Sequence, residues 1–266
     1  MAKLGIIGMG NMGEAVLKML LAAGHKKKDF LCAELKEERS RSIHERYGIE
    51  PVSDVAEVVR KSRYVILAVK PQDVKELAPK LAPHLDGTRI VISILAGTTT
   101  SSLMSAVDKP VKLIRVMPNI CVKVGEGVLG ICANYLVERR EVQEIVQLLA
   151  PLGLVVEIGE DLMDAVTALS GSGPALFLAF LEGMIDAGVK MGLPRDKATA
   201  LSVQTVKGTV TMLQEEKLHP TLMKEMVTSP GGTTIAGLFR LEEKGFKGTL
   251  MSAFEKARDR ARELAK

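Results

Sequence analysis

Tryptophan is absent from this 266-residue chain, and aromatic residues make up only 3% of it. Proteins that bind single-stranded nucleic acid stack bases on aromatic side chains, so this scarcity argues against a nucleic-acid partner despite a formal net charge of +4. The short lysine run at residues 26–28 falls where a turn is expected, which is typical of a solvated loop.

Cysteine and histidine are also scarce, with three and four residues respectively. Cys32, Cys121 and Cys132 lie in apolar surroundings and show no C-x-x-C spacing, which argues against a disulfide scaffold and a zinc site. We therefore expect free thiols and no bound metal.

Long apolar runs are missing as well. No stretch approaches the roughly 20 apolar residues that span a bilayer, and Met1 and Ala2 lead directly into a strand pattern. We expect a cytoplasmic protein with no membrane partner. With 47% hydrophobic and 26% charged residues, the chain is long enough to form two domains.

A glycine motif lies close to the N-terminus. Residues 4–7 are small and apolar, Gly-x-Gly-x-x-Gly occupies residues 8–13, and an amphipathic run follows at 14–23. A strand, a glycine turn and a helix in this order predict a dinucleotide-binding site, whereas the motif alone would be weak. The alternative, a purely structural glycine turn, is disfavoured by this context.

Each glycine of the motif has an expected task. Gly8 makes the tight turn, Gly10 lets the pyrophosphate approach the backbone, and Gly13 allows close packing of helix on strand. The free N–H groups at the helix N-terminus then face the phosphates. The predicted cofactor contacts in this segment are Ile7, Gly8, Met9, Gly10, Asn11 and Met12.

Further strand patterns alternate with helical ones, at residues 30–33, 64–69, 90–95 and 111–117. This alternation predicts an α/β fold with a doubly wound, Rossmann-like parallel sheet. Ligands bind at the carboxyl ends of such strands, so the turns there provide further cofactor contacts. They are Ala68, Val69, Lys70 and Pro71, then Ala96 and Gly97, then Asn119. Lys70 in this position is better explained as a ligand contact than as a surface lysine.

Glu34 ends the second strand, where an acidic residue commonly holds the ribose hydroxyls of the adenosine. An acid there repels the 2′-phosphate of NADPH, which favours NADH slightly. Lys36 and Arg39 follow closely and could contact a phosphate. The choice between NADH and NADPH therefore stays open.

The second half of the chain is predicted to be helical after Val155. We expect a helix at 161–169, a break at 170–174 and a long apolar helix at 175–191. The apolar stripe on that last helix is wider than one core needs, which favours packing against a second copy of the chain. The expected domains are residues 1–159 and 160–266.

A loop at residues 228–235 breaks this helical pattern. Its proline and two glycines disfavour a helix, and its hydroxyls and backbone N–H groups stand at the start of the next helix. Such a loop is a good receptor for a carboxylate, although an ordinary capped turn is the alternative. The candidate binding residues are Ser229, Gly231, Gly232, Thr233 and Thr234.

Over essentially its whole length, the sequence resembles the pyrroline-5-carboxylate reductase family. The resemblance rests on the motif at 229–235 with its flanks at 219–220 and 241–246, and on those at 68–71, 115–119 and 169–175. It implies a dinucleotide-binding domain followed by a helical dimerisation domain, with the active site where the two meet. Homodimers that assemble into rings are also implied.

The same resemblance assigns roles to individual residues. Ser229, Gly232 and Thr233 would hold the substrate carboxylate, Thr234 would act on the ring nitrogen as the catalytic residue, and Glu160 would be a further substrate contact. Some members have a Ser or Thr that receives the NADPH phosphate at the end of the second strand, where this chain has Glu34. This departure leaves the cofactor preference in doubt.

The implied reaction is hydride transfer from NAD(P)H to the C=N bond of a cyclic imino acid, 1-pyrroline-5-carboxylate, which yields L-proline as the last step of proline biosynthesis. An imine nitrogen is basic, so the site needs no His or Lys acid. The four histidines are accordingly expected to be structural or exposed.

Two other functions remain open. A 3-hydroxyacid or 6-phosphogluconate-type dehydrogenase would need a lysine on the long helix of the second domain, where none occurs before Lys190. A dinucleotide-sensing module without catalysis would have no use for a carboxylate receptor. The sequence leaves open the number of subunits beyond a dimer and whether six-membered imines are also reduced.

Overall fold

The computed structural model describes residues 3–264, so Met1, Ala2 and the last two residues of the expected second domain lie outside the described part. The chain divides into two compact units. The N-terminal unit runs to Gly171 and includes the end of the last helix from Ala257, and the helical unit comprises Ser172–Lys256.

Among the described residues, the N-terminal unit contains a seven-stranded sheet with the order β2-β1-β3-β4-β5-β6-β7. The strands are β1 (Lys3–Ile7), β2 (Phe30–Ala33), β3 (Ser62–Leu67), β4 (Ile90–Ser93), β5 (Lys112–Pro118), β6 (Gly127–Ala133) and β7 (Gly153–Glu157). All neighbours pair in parallel except β5 and β6. The predicted doubly wound sheet is confirmed, with β6 as an antiparallel strand that the sequence analysis did not anticipate.

Helices cover both faces of this sheet. They are α1 (Asn11–Ala22), α2 (Glu37–Tyr47), α3 (Val55–Lys61), α4 (Val74–Leu81), α5 (Thr100–Val107), α6 (Arg139–Leu149) and the short α7 (Met163–Val166). One core packs α1, α2 and α6 against side chains such as Ile6. The other packs α3, α4 and α5 against side chains such as Ile7. Because successive side chains of β1 enter opposite cores, its residues are apolar without alternation.

The helical unit follows with α8 (Gly173–Lys190), α9 (Arg195–Glu216), α10 (Pro220–Met226) and α11 (Thr233–Glu243), and α12 (Phe246–Leu264) ends in the N-terminal unit. α8 and α9 approach closely at Gly188, where a Cβ would lie 3.0 Å from that of Ala198. Many large apolar side chains of these helices stay exposed, including Phe239 at 71% and Leu178 at 58%. The buried core of this unit is therefore small.

The predicted break at residues 170–174 is wrong. Residues Thr167–Ser172 form a π-helix that joins α7 to α8 without interruption. The hydroxyls of Thr167 and Ser170 donate to the carbonyls of Met163 and Val166. These side-chain hydrogen bonds provide donors for backbone carbonyls in the wider turn of the π-helix. The sequence analysis had predicted a break here because of the glycines and the proline.

The resulting helical run, Glu160–Lys190, is long and apolar enough to cross a membrane by length and composition alone. This finding corrects the expectation that no such stretch exists. Glu182 and Asp186 are exposed on the run, and Asp186 accepts a hydrogen bond from Arg195. Charged groups of this kind are costly inside a bilayer.

A nearly buried ion pair joins α6 to the sheet. Lys112, at the start of β5, donates to both carboxylate oxygens of Glu141 at 2.7 and 2.8 Å. Burial of Glu141 opposes its ionisation, but the hydrogen bonds and charge of Lys112 outweigh this effect and lower its pKa. The pair links two elements at the edge of the sheet where β5 begins.

We expect Glu141→Gln to lower the free energy of unfolding at pH 7 by about 1–3 kcal/mol, because Lys112 loses its charged partner. Because the pKa of Glu141 is lowered in the folded protein, its ionised carboxylate stabilises the fold above the ordinary pKa of 4.5. This stabilisation is lost as the pH falls through the pKa of the folded state. The difference between variant and wild type should thus shrink as the pH falls below 4.5. Urea unfolding across this range measures it, with Glu37→Gln, in an exposed pair with Arg41, as the control. A difference that does not vary with pH would contradict the assignment.

Candidate functional site

The glycine motif forms the turn between β1 and α1, as predicted. Gly8 has φ +93°, and a Cβ there would lie 2.7 Å from the carbonyl oxygen of Ala68. A Cβ on Gly13 would lie 2.1 Å from the carbonyl oxygen of Gly8. Both positions therefore require glycine for reasons internal to the protein.

Gly10 differs from the other two glycines. Its φ of −67° suits any residue, and a Cβ there would meet no protein atom within 4 Å. The fold thus has no need of glycine at Gly10. A glycine that nothing in the protein requires, placed at the start of α1 beside exposed Asn11, fits a backbone that a dinucleotide pyrophosphate approaches closely.

A side chain that follows β2 and one from α2 fix the turn through the peptide groups of Met9. The N–H of Met9 donates to Oε2 of Glu34 at 3.0 Å, and Nε of Arg39 donates to the carbonyl of Met9 at 2.5 Å. The second oxygen of Glu34 accepts the N–H of Lys36 at 3.0 Å. Both Glu34 and Arg39 therefore stand at the turn, where the sequence placed the adenosine ribose.

Glu14 on α1 was missed by the sequence analysis. It pairs with Arg39 and Arg46 and accepts the hydroxyl of Tyr47 at 2.8 Å. Burial raises the pKa of Glu14, but the hydrogen bond from Tyr47 and the two arginines outweigh burial and lower it. The carboxylate thus stays charged and holds α2 against α1. The signal for it, an acid in the first turn of a helix, is too common to be specific.

The turns after β3 and β4 lie at the same edge of the sheet as the glycine turn. The N–H of Ala68 donates to the carbonyl of Ile7 at 2.8 Å, and that of Ile94 donates to Leu67 at 3.1 Å. The structure thus brings together the predicted cofactor residues at the ends of these strands. They are Ile7, Gly8, Met9, Gly10, Asn11, Met12, Ala68, Val69, Lys70, Pro71, Ala96 and Gly97.

Asn119 lies at this edge as well, but its side chain faces inwards and is 7% exposed as a residue. Its side-chain Oδ1 accepts hydrogen bonds from the N–H groups of Cys121 and Val128, and its side-chain Nδ2 donates to the carbonyl of Ser170 at 3.1 Å. The side chain therefore ties the end of β5 to β6 and to the π-helix.

Glu160 lies in the N-terminal unit, between β7 and α7. Its Oε1 accepts the N–H of Thr100 at 2.7 Å, and its Oε2 accepts the hydroxyl of the same residue at 2.5 Å. Arg115 donates to Oε1 at 3.4 Å. Both oxygens of the predicted substrate contact are thus engaged within the protein.

The predicted carboxylate receptor lies in the helical unit, at the start of α11. Gly231 adopts φ +66°, and the N–H of Gly232 donates to the carbonyl of Ser229 at 3.1 Å. Gly232 is the N-cap of α11, so Thr233 and Thr234 occupy its first turn with Ser229 nearby. The first N–H groups of a helix have no partner within it, and they attract a carboxylate.

Other chemistry finds little support in the described residues. Residues 3–264 contain no group of three or more His, Cys, Asp or Glu side chains that could hold a metal ion. Burial raises the pKa of Cys32 to about 12 and that of Cys132 to about 11. Both thiols therefore stay protonated at neutral pH and are poor nucleophiles.

Comparison with known proteins gives a family for this arrangement. Residues 160–264 match the family described as pyrroline-5-carboxylate reductase dimerisation. The pyrroline-5-carboxylate reductase of Methanosarcina acetivorans is 37% identical, covering 99% of this chain and 98% of that protein. The chain belongs to the pyrroline-5-carboxylate reductase family.

Relatives in this family come from distant organisms. The Synechocystis reductase is 39% identical, covering 99% of this chain and 98% of that protein. A crystal structure of the Plasmodium falciparum pyrroline carboxylate reductase with NADP bound has a TM-score of 0.89 and 32% identity, and the match covers 100% of this chain and 98% of that one. The Coxiella burnetii structure has a TM-score of 0.94 at 29% identity, with 100% and 99% covered.

The N-terminal part matches a second family. Residues 3–97 match the NADP oxidoreductases described as coenzyme F420-dependent. Together with the NADP of the Plasmodium relative, this match confirms NAD(P)H as the predicted class of cofactor. Membership of a reductase family also decides against the hydroxyacid dehydrogenase and the non-catalytic sensor.

Gly10 provides a test of the cofactor site. We expect Gly10→Ala to leave the melting temperature nearly unchanged and to weaken NAD(P)H binding by at least about tenfold, because the added methyl occupies the approach to the pyrophosphate. Calorimetric titration with the dinucleotide measures the affinity.

Two further glycines serve as comparisons. Gly8→Ala should lower the free energy of unfolding by about 1–2 kcal/mol or more, since φ is +93° there. Gly87, which also has open space around its Cα, is the matched control, and Gly87→Ala should change neither property. If Gly10→Ala bound the dinucleotide with unchanged affinity, the assignment of the pyrophosphate site to this turn would be contradicted.

Proposed function

We propose that this chain reduces 1-pyrroline-5-carboxylate to L-proline with a nicotinamide dinucleotide as the hydride donor. The observation that carries the proposal is the start of α11, where helix N–H groups and the hydroxyls around Gly232 form a carboxylate receptor. The same chain carries a dinucleotide turn. Its relatives at 37–39% identity bear this enzyme's name.

In this proposal the loop at 229–234 binds the carboxylate of the imino acid. The contacts come from the backbone N–H group of Thr233 and from the hydroxyl of Ser229, while Gly232, whose own N–H is bonded to the carbonyl of Ser229, lets the carboxylate approach the backbone. Gly231 is needed because the loop passes through φ +66° there. Since the carboxylate and the imine belong to one rigid ring, fixing the first also orients the second.

Thr234 acts at the ring nitrogen. A dinucleotide held at the glycine turn would supply a hydride to the C=N carbon, and the π electron pair of that bond would move to the nitrogen. An imine that arrives protonated needs no further acid, and a neutral one would take its proton from a hydroxyl donor that is reprotonated by water. The half-buried hydroxyl of Thr234, in the first turn of α11, is the donor that we assign to this nitrogen.

The wild-type assay comes first. NADH and NADPH oxidation is followed by absorbance with pyrroline-5-carboxylate, and the product is identified as proline. We expect Thr234→Ala to lower kcat by about 100-fold, the lower end of what a positioned proton donor contributes, while dinucleotide affinity stays unchanged.

Controls separate this loss from a folding defect. Thr234→Ser keeps the hydroxyl and should restore most of the rate. Thr228→Val removes a nearby hydroxyl that donates to the carbonyl of Lys224 and should leave kcat near that of wild type. If Thr234→Ala turned over at the wild-type rate, Thr234 would lose this role.

We also propose that the chain prefers NADH. The carboxylate of Glu34 stands beside the glycine turn, 3.0 Å from the nitrogen of Met9, where a 2′-phosphate would meet a like charge. Arg39 is paired with Glu14 and bound to Met9, so it is not free to neutralise a phosphate. The NADP of the Plasmodium relative sets the opposite expectation.

Removing the charge of Glu34 tests this preference. Glu34→Gln keeps an acceptor for the glycine turn, and we expect it to shift the ratio of kcat/KM for NADPH over NADH upwards by at least about tenfold. The exposed Glu37 on the following helix is the matched control, and Glu37→Gln should leave the ratio unchanged. A wild-type enzyme that prefers NADPH would contradict the proposal directly.

The proposed setting of the enzyme is the cytoplasm, without a membrane or nucleic-acid partner. A second copy of the chain covers the exposed apolar side chains of the helical unit, such as Phe239 and Leu178, and such homodimers assemble further into a ring. The match to the family's dimerisation region at 160–264 supports the homodimer. The exposed charges on the Glu160–Lys190 run speak against a bilayer as the alternative cover.

A further inference from the structure

Glu160 joins three segments of the N-terminal unit that are distant in sequence. It follows β7, its carboxylate binds Thr100 at the start of α5, and Arg115 in the middle of β5 donates to it. We infer that Glu160 is a positioning residue, which holds the turn at residues 96–100 for the nicotinamide end of the dinucleotide and does not contact the substrate.

The contacts of Glu160 leave it little freedom. The Arg115 side chain is only 4% exposed, and a buried guanidinium without an anionic partner is costly. Arg115 lies between Ser93 of β4 and Cys132 of β6 in the sheet register, so the sheet holds it firmly. Arg115 therefore fixes Glu160 in turn.

Fixing Glu160 also fixes the turn. Thr100 is the first residue of α5, and both its N–H and its hydroxyl donate to the carboxylate. Few residues separate Thr100 from the end of β4 at Ser93, and Gly97 within them adopts φ +70°. Since α5 cannot shift at this point, the path of the turn is determined at both ends.

The place of the turn in the sheet gives the functional consequence. In the sheet, β2 lies on one side of β1, and β3 and β4 lie on the other side. Glu34 follows β2, so it is on the opposite side of β1 from the turn after β4. The turn after β4 thus serves the nicotinamide half, and the end of β2 serves the adenosine half. The inference rests on the proposed function to this extent. Loss of Glu160 should therefore weaken binding of the nicotinamide half alone.

The test compares two ligands, NADH and ADP-ribose, which lacks the nicotinamide. In Glu160→Ala we expect NADH to bind about tenfold more weakly, while ADP-ribose binds as in wild type. Glu160→Gln keeps an acceptor for the Thr100 N–H and a donor for its hydroxyl, and it should recover most of the affinity. Calorimetry on the full-length protein measures both ligands.

Thr100→Val provides an independent variant, because it removes the hydroxyl and retains the N–H. We expect Thr100→Val to weaken NADH binding by part of the amount seen in Glu160→Ala. The double variant should lose less NADH binding free energy than the sum of the losses in the two single variants. Glu141→Gln breaks a similarly enclosed ion pair where β5 begins, and it should alter neither affinity. Should Glu160→Ala fail to fold, Thr100→Val carries the test.

Three results would overturn the inference. The first is that Glu160→Ala weakens the binding of NADH and of ADP-ribose equally. The second is that NADH affinity is unchanged in both Glu160→Ala and Thr100→Val. The third is that Glu160→Ala raises the KM for the imino acid and that Glu160→Gln raises it to the same extent. The last would make Glu160 a substrate contact. If the wild-type protein reduced no cyclic imine yet showed the predicted contrast between the two ligands, the proposed function would fail while the positioning role stood.

Discussion

The close approach of three backbone segments at the glycine turn is the constraint on which the rest of the N-terminal unit depends. Gly8, Gly13 and Ala68 lie so near one another that neither glycine has room for a Cβ. This contact seats α1 on the sheet and brings the turn after β3 against the turn after β1. The shape of the dinucleotide edge thus follows from contacts within the protein, and of the three motif glycines only Gly10 has open space around its Cα.

Carboxylates hold the surroundings of that edge in place. Glu14 binds α2 to α1, Glu34 binds the end of β2 to the turn, and Glu160 binds the start of α5 to β5. Each accepts from backbone or from cations of another element, which compensates the cost of partial burial. Much of the charge around the site therefore belongs to groups that also hold its elements together.

The helical unit follows a different principle. Its helices present apolar side chains such as Phe239 that nothing within the unit covers, and residues as deeply buried as Ala198 are few in its described part. The hydrophobic stabilisation that the described part of this unit gains from its own buried core is therefore small. Its carboxylate loop is nevertheless shaped locally, by Gly231 and by the N-cap of α11.

The sequence by itself determined the first five strands, the glycine turn and the loop at 229–234, because alternation, glycine and helix capping act over a few neighbouring residues. Only the tertiary structure decided how Asn119 and Glu160 are used. Their partners Ser170 and Thr100 lie 51 and 60 residues away, and no local pattern records such distant hydrogen bonds. The π-helix at Thr167–Ser172 also depends on such a distant bond, since the amide of Asn119 donates to the carbonyl of Ser170 in addition to the local hydrogen bonds of the Thr167 and Ser170 hydroxyls.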